Sequence, residues 1–353
     1  MAFTAKNAII KIINGNIGGD DSRYKTLKGL IEAAKANTTI TEQDFAEVPG
    51  KLRELKVSYF PVDCSETATC ADDLCAATAA SLTTVSFILG TCTAAKAKSV
   101  GFNDIKNVDG EFNLSDAAVG VISGQMSELR RRINKQAAIK LVALASASEF
   151  HDGSTSKTIQ LVDPVTGAMR PMGYFEVERA LEDVGVTDPY IIGGSDAFIW
   201  ERGLGIAGLN NNGQNLAGLQ KGNVFYDSAI ETAFADATAG HLVGFSAETV
   251  KFISYADNAG DFANKAIFSQ DELMSMFRSG QTYFYGVIPD PSTGLMYNLN
   301  IVMSPCAKKW NIGMDLTWDL FNIPNGHCGN DAEVTGAFHF KTCLPVPVVC
   351  PLP

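Results

Sequence analysis

Across residues 310–320 apolar and polar positions alternate without a slip. Trp310, Ile312, Met314, Leu316, Trp318 and Leu320 are apolar, and Asn311, Gly313, Asp315, Thr317 and Asp319 between them are polar or small. A period of two is the mark of a strand with one covered face. At about 3.3 Å per residue the segment reaches roughly 35 Å, against a usual strand of about 5–6 residues. Over residues 115–148 a helical period takes its place, with Ile122, Met126, Leu129, Ile133, Ala137, Leu141 and Leu144 in one stripe at spacings of three and four. That predicts a helix roughly 50 Å long at 1.5 Å per residue, more than a compact domain needs.

Shorter patterns fill the rest. Residues 2–19 carry Ile9, Ile10, Ile12 and Ile13 and end in a glycine-rich break, which reads as an extended arm. Tyr24, Leu27, Leu30, Ile31 and Ala34 recur at helical spacing after Asp20 and Asp21. Thr41 with Asp44 resembles a capping box and predicts a second short helix, interrupted by Pro49 and Gly50. Residues 51–106 read as a long two-stranded excursion with a loose tip. Beyond the long helix we expect an extended segment at 158–162, a turn at DPVTG, a helix at 174–184, and strands at 190–192, 223–227 and 249–255. Helices are expected at 196–203 and 270–278. Residues 282–288 and 296–303 flank the turn DPSTG, whose Pro291 and Gly294 suit a reversal. The whole is a mixed α+β protein.

Composition narrows the function. A chain of 353 residues exceeds the size at which one core stops growing, so two domains or one domain with projections are expected. With 46% hydrophobic and 19% charged residues it is a folded chain. The net charge of −11 disfavours tight nucleic-acid binding through phosphate neutralisation. It suits a container whose contents must not stick to the wall. Met1 leads to the expectation that no signal or propeptide is cleaved. Residues 75–95 lack charge over a length that could cross a bilayer, but their threonines, serines and alanines make insertion weak. We expect a small-residue loop leading into a strand against another subunit, and no membrane partner.

Candidate chemistry is sparse. The eight cysteines fall into two groups, Cys64, Cys70, Cys75 and Cys92, then Cys306, Cys328, Cys343 and Cys350. None has the two-residue spacing of a zinc or redox motif, so they read as buried reduced thiols, or as disulfides formed after release from the cell. Arg130, Arg131, Arg132, Lys135 and Lys140 form a basic outer face on the long helix, either solvated or turned toward an acidic neighbour or nucleic acid. Gly203, Gly205 and Gly208 spell G-x-G-x-x-G, but no buried strand precedes them, and they read as a surface loop. The four histidines, His151, His241, His327 and His339, are scattered without a nucleophile or carboxylate at a suggestive spacing. No catalytic residue, cofactor or metal is expected, and the elongated elements suggest a building block that touches copies of itself.

The order of elements, an arm, a long hairpin, one very long helix and a compact α+β portion closing in long strands, resembles the major capsid proteins of tailed bacteriophages, of the Hong Kong 97-type fold. YIIGGSDAFIWERGL is similar to the strand and helix of that family's axial domain, and HLVGFSAETVKFISY to one of its strands. VIPDPSTGLMYNLNIVMSPCAKKWNIGMDLTWDLFNIP is similar to the closing β region. The resemblance implies an N-terminal arm at 1–50, an extended loop at 51–106 and a peripheral domain with its spine helix at 107–173. It further implies an axial domain at 174–324, and a C-terminal return to the peripheral domain with a tail at 325–353. It implies self-assembly into hexamers and pentamers of an icosahedral shell around double-stranded DNA. Portal, scaffolding or decoration proteins would be partners, contact with packaged DNA would be non-specific, and assembly would take place in the host cytoplasm. An encapsulin-like compartment shares the fold, and a secreted, disulfide-containing hydrolase is the alternative of another class.

Overall fold

The computed structural model describes residues 24–36, 46–48, 52–59, 82–101, 114–150, 152–161, 170, 173–186, 188–194, 198, 223–234, 240–256, 283–290, 292–304, 309–322 and 336–343. In chain order these form α1 (Lys25–Ala36), β1 (Ala46–Val48), β2 (Leu52–Tyr59), β3 (Thr83–Leu89), β4 (Thr91–Ala94), β5 (Lys98–Gly101) and α2 (Leu114–Ala147). Next come β6 (Ser156–Gln160), α3 (Gly173–Glu182), β7 (Tyr190–Gly193), β8 (Asn223–Tyr226), α4 (Ser228–Ala233), β9 (Gly240–Phe245) and β10 (Val250–Tyr255). Last are β11 (Tyr283–Pro289), β12 (Met296–Ser304), β13 (Lys309–Asn322) and β14 (Ala337–Cys343). Contacts group the chain into two compact units. The first is Met1–Lys28, Leu89–Lys135 and Ile253–Asp319, and the second Gly29–Ile88, Gln136–Phe252 and Leu320–Pro353.

The first unit is built on β13, the long alternating segment, which is 14 residues in the structure. Trp310, Ile312, Met314, Leu316 and Trp318 are all buried, and the intervening side chains are mostly half-exposed or exposed. One edge of β13 pairs antiparallel with β12, and β12 with β11. The other edge pairs with two short strands in succession, β4 across Asp315–Trp318 and β5 across Lys309–Ile312. A strand this long needs several partners to satisfy its backbone. The Trp318 indole N–H donates to Thr93 Oγ1 at 2.9 Å, satisfying the buried polar end of the ring. The stripe of α2 is buried at Ile122, Met126, Leu129 and Ile133. Gln125 Nε2 donates to the Ile312 and Lys96 carbonyls at 2.7 and 3.1 Å, fixing the helix to β13 and the β4–β5 link.

The second unit centres on a five-stranded sheet in the order β6-β14-β9-β7-β8. β14 lies parallel to β6 and antiparallel to β9. Every residue of β9 is buried, as both faces of the sheet are covered. One face packs Leu242, Phe338, Phe340 and Ile159 against Val177, Ala180 and Leu181 of α3 and against Phe150. Gly244 is required there, because a Cβ would lie 2.6 Å from Leu181 Cδ1. On the other face Tyr190 stacks on Phe245, and Phe234 covers two histidines.

A separate three-stranded sheet runs β1-β2-β3. The expected helix after Thr41 is corrected at residues 46–48, which pair with β2 as β1; the β-branched Val48 and the exchange of ladder bonds with Leu52 outweigh the capping pattern. The excursion at 51–106 is not simply two-stranded either, since its return limb turns off into β4 and β5 on the edge of β13. HLVGFSAETVKFISY, read as one strand, is two, β9 and β10, in different sheets and separated by a turn in which Val250 N–H donates to the Ser246 carbonyl at 3.0 Å. The arm at 2–19, the DPVTG turn, all but Phe198 of the 196–203 helix, the 270–278 helix and Gly203 to Gly208 lie outside the described residues.

Candidate functional site

The basic face of α2 divides in the structure. Arg131, Arg132 and Lys135 are exposed and Lys140 is half-exposed. Arg132 donates to the Ala94 carbonyl at 2.8 Å and pairs with Glu128 one turn earlier at 2.6 Å. Arg130 does not belong to this outer face. It is 1% exposed, and its place explains why: it stands four residues after Met126 and three before Ile133, inside the apolar stripe itself.

A guanidinium so placed needs a full complement of acceptors. Arg130 Nε and Nη2 donate to Asp290 Oδ2 and Oδ1, each at 2.6 Å, in the two-pronged geometry of the strong arginine–carboxylate pair. Asp290 heads the reversal between β11 and β12. It also accepts from Ser292 N–H and Oγ at 2.9 Å, from Thr293 Oγ1 at 2.8 Å and from the Tyr297 hydroxyl at 3.2 Å. Gly294, at φ 77°, completes the turn, with its N–H on the Asp290 carbonyl at 2.8 Å. Burial alone pushes the Asp290 carboxyl up, but the hydrogen bonds and charge of Arg130, with Ser292 and Thr293, hold it below the ordinary carboxylate range. Tyr297 is raised well above its usual value, by burial first and then by the Asp290 charge. The cluster is a rivet between helix and hairpin, with every acceptor position of the carboxylate used.

The ribbon β1-β2-β3 offers the opposite environment. The described side chains of β2 are all half-exposed or exposed, and β3 alternates between the two until buried Leu89. Ile88 is 48% exposed, and Leu82 just before the strand is 56% exposed. Ser58 and Thr84 hydroxyls meet across the ribbon at 2.8 Å, and Ser86 donates to Glu54. Phe87 rests edge-on against Phe321. Among the cysteines, Cys92 is exposed on β4 opposite Thr317, contrary to the expectation of burial, because it lies on the outward face of the strand while its neighbour Thr93 turns inward to Trp318. Cys343 ends β14, and Cys64, Cys70, Cys75, Cys306, Cys328 and Cys350 lie outside the described residues.

Two histidines that the sequence left scattered come together. His241 on β9 and His339 on β14 face each other through Nδ1 and Nε2 at 3.0 Å. The signal for burial was present, since each sits within a largely apolar run, HLVGF and AFHF. Among the described residues there is no group of three or more metal-ligating side chains, and no helix is long and apolar enough to cross a membrane.

No protein-family model matches the chain, and no curated protein does. Among solved structures it is similar to one from Mycobacterium phage Cain, at 9% identity and a TM-score of 0.48, covering 98% of this chain and 100% of that one. It is also similar to the Cyanophage A-1(L) capsid asymmetric unit, at 13% identity and a TM-score of 0.48, covering 91% of this chain and 94% of that one. A structure from Mycobacterium phage Che8 matches at 13% identity and a TM-score of 0.45, covering 86% of this chain and 89% of that one.

Proposed function

We propose that this chain is a shell subunit, a major capsid protein of Hong Kong 97-type architecture. Its copies close as hexamers and pentamers into the icosahedral container of a tailed bacteriophage's double-stranded DNA. The observation that carries the reading is the ribbon. A sheet of three strands holds together in water by burying a face, yet the described side chains of β2 and β3, Leu89 apart, remain at least partly in solvent. A neighbouring copy covers Leu82 and Ile88 and supplies the missing layer. Closed point-group assembly then repeats that contact throughout the shell, each interface burying more than about 1,000 Å².

In this reading residues 1–50 are the arm and 51–106 the loop that lies over a neighbour. Residues 107–173 are the peripheral domain with α2 as its spine, 174–324 the axial domain, and 325–353 the return and tail. The role is mechanical rather than catalytic. The acidic wall, at net charge −11, repels packaged DNA over most of its area, and Arg131, Arg132, Lys135 and Lys140 provide local, non-specific contact with it or with an acidic neighbour. Portal, scaffolding and decoration proteins are further partners, the site of assembly is the host cytoplasm, and the mature location is the virion capsid. Electron microscopy of the purified recombinant protein tests the reading. Shells, hexamers or pentamers are expected, and a chain that stays monomeric at high concentration and low salt overturns it.

A further inference from the structure

Along α2 every fourth residue from Arg131 falls on one line, Arg131, Lys135, Ile139 and Ala143, and all four are exposed. Ile139 is 49% exposed, although Ile133, Ala137 and Leu141 on the opposite stripe are buried. α3 presents a second line at the same spacing, Phe175, Arg179 and Asp183, again all exposed, with exposed Glu182 beside the last. Asp183 keeps its helical position because its N–H donates to the Arg179 carbonyl at 2.9 Å. Phe175 is 43% exposed, while Val177, Ala180 and Leu181 of the same helix fill the core.

The two lines are complementary in charge and in bulk once they run in opposite directions. Setting Phe175 on Ala143 puts Arg179 on Ile139 and Asp183 on Lys135, because each step is four residues, about 6 Å along either axis. The phenyl ring then meets the smallest side chain, and the aliphatic stem of Arg179 lies over Ile139. Asp183 and Glu182 meet Lys135, and Arg131, one turn away, reaches the same carboxylates. Arg179 brings one like charge, which Glu182 and Asp183, three and four residues after it, offset. Run in the same direction, the lines would set Phe175 on a cation and an acid on Ile139. Lines of this spacing lie at about 26° to their helix axes, so laying one along the other crosses the helices at about 50°, the commonest packing angle.

We propose that the α3 line of one copy docks on the α2 line of the next, and that this contact sets the orientation in which copies join. It presupposes the capsid reading and supplies one of its interfaces. Both lines stand open to solvent in the single chain, and the contact is heterologous, so its repetition closes a ring rather than a two-fold pair. A second copy is an acidic partner, since the chain carries 39 acidic against 28 basic residues. A phosphate backbone would take up the two cations but has no use for Ile139 in their line. Three side-chain pairs bury much less than the roughly 1,000 Å² of a stable interface. Their complementary charges therefore select orientation, and the ribbon supplies area.

Charge exchange tests the contact by electron microscopy, on full chains first checked for native circular dichroism. Arg131→Glu with Lys135→Glu, and separately Glu182→Lys with Asp183→Lys, should each cut shell yield about tenfold or more, since like charges then face each other. The four changes together should restore it. Normal shells from either double variant, or no recovery in the fourfold chain, overturn the proposal, as do double-variant shells that form normally and only hold less DNA. A native chain that forms neither shells nor capsomers overturns the capsid reading itself. A second measurement needs no variant. Carbodiimide activates a carboxylate, takes up its oxygen as a urea, and leaves an amide to any amine in contact. In shells grown from mixed light and heavy-nitrogen chains, an amide between Lys135 and Asp183 or Glu182 should link one isotope to the other. Shells that yield other lysine–carboxylate links between copies but not this one overturn the proposal.

Discussion

Replacing Arg130 by methionine keeps the length and apolar contacts of the side chain within the α2 stripe but leaves the Asp290 carboxylate without its cation. Both partners are almost fully buried, with side-chain exposures of 2% and 0%, so water cannot take the place of the guanidinium. Removing one member of such a pair costs about 3–5 kcal/mol. Asp290 retains Ser292, Thr293 and Tyr297 as donors, which places the expected loss near the lower end, about 3 kcal/mol. That is a large share of the roughly 5–15 kcal/mol that stabilises a folded domain. Trp310 and Trp318 are both buried in the same unit, so tryptophan fluorescence during urea unfolding reports on it. The pH dependence separates this mechanism from simple mispacking. In the native chain the Asp290 carboxyl is held low, so its stabilisation is complete above about pH 4 and is lost as pH falls through the folded-state value. In the variant only the Ser292 and Thr293 hydrogen bonds oppose burial, and the carboxyl rises, so acid relieves the penalty and the gap between the two proteins narrows from pH 7 toward pH 4. Pairing Arg130→Met with Asp290→Asn should recover most of the loss. A single variant within about 1 kcal/mol of the native chain, or a gap that does not change with pH, refutes the reasoning.

Ile88→Asp on the ribbon should leave the folded subunit intact by circular dichroism while abolishing shells in electron microscopy; normal particles would mean that nothing covers this face. Gly244→Ala forces a methyl group toward Leu181 and should cost about 1–3 kcal/mol in urea unfolding, with Leu181→Ala in the same chain relieving the clash. Lys251, 1% exposed, has its ammonium pushed down to about 8 by burial, the nearby Glu248 charge opposing this. Its folded value lies below the unfolded one, so the penalty is present below pH 8 and disappears as pH rises toward 10.5. Stability should climb through that window by up to about 3 kcal/mol, and the climb should be missing in Lys251→Met.

What the sequence revealed depended on how far apart the cooperating residues lie. β13 and α2 each carry a single unbroken period, and their lengths and buried faces follow directly from Trp310 to Trp318 and from Ile122 to Leu141. Arg130 was misplaced because its charge outweighed its position; the spacing from Met126 and to Ile133 already assigned it to the buried stripe. Its partner Asp290 is 160 residues away, and nothing local to DPSTG announces an acceptor for a buried cation. β9 was merged with β10 because a strand covered on both faces loses its alternation, as GHLVGF does, and β14 was missed because a strand that pairs across 98 residues leaves no trace of its neighbour. The capping pattern at Thr41 failed for the complementary reason: β1 is held by the ladder to Leu52, Arg53 and Glu54, not by its own preference.

The position of β14 within its sheet also governs the order of events at the ribosome. Four of the five strands are synthesised by Phe245, but the gap between β6 and β9 stays open until the chain has run on to Ala337. Ile159 and Leu242 cannot be sealed against Phe338 and Phe340 before then. A nascent chain is thus denied a finished second unit until its last strand has been made.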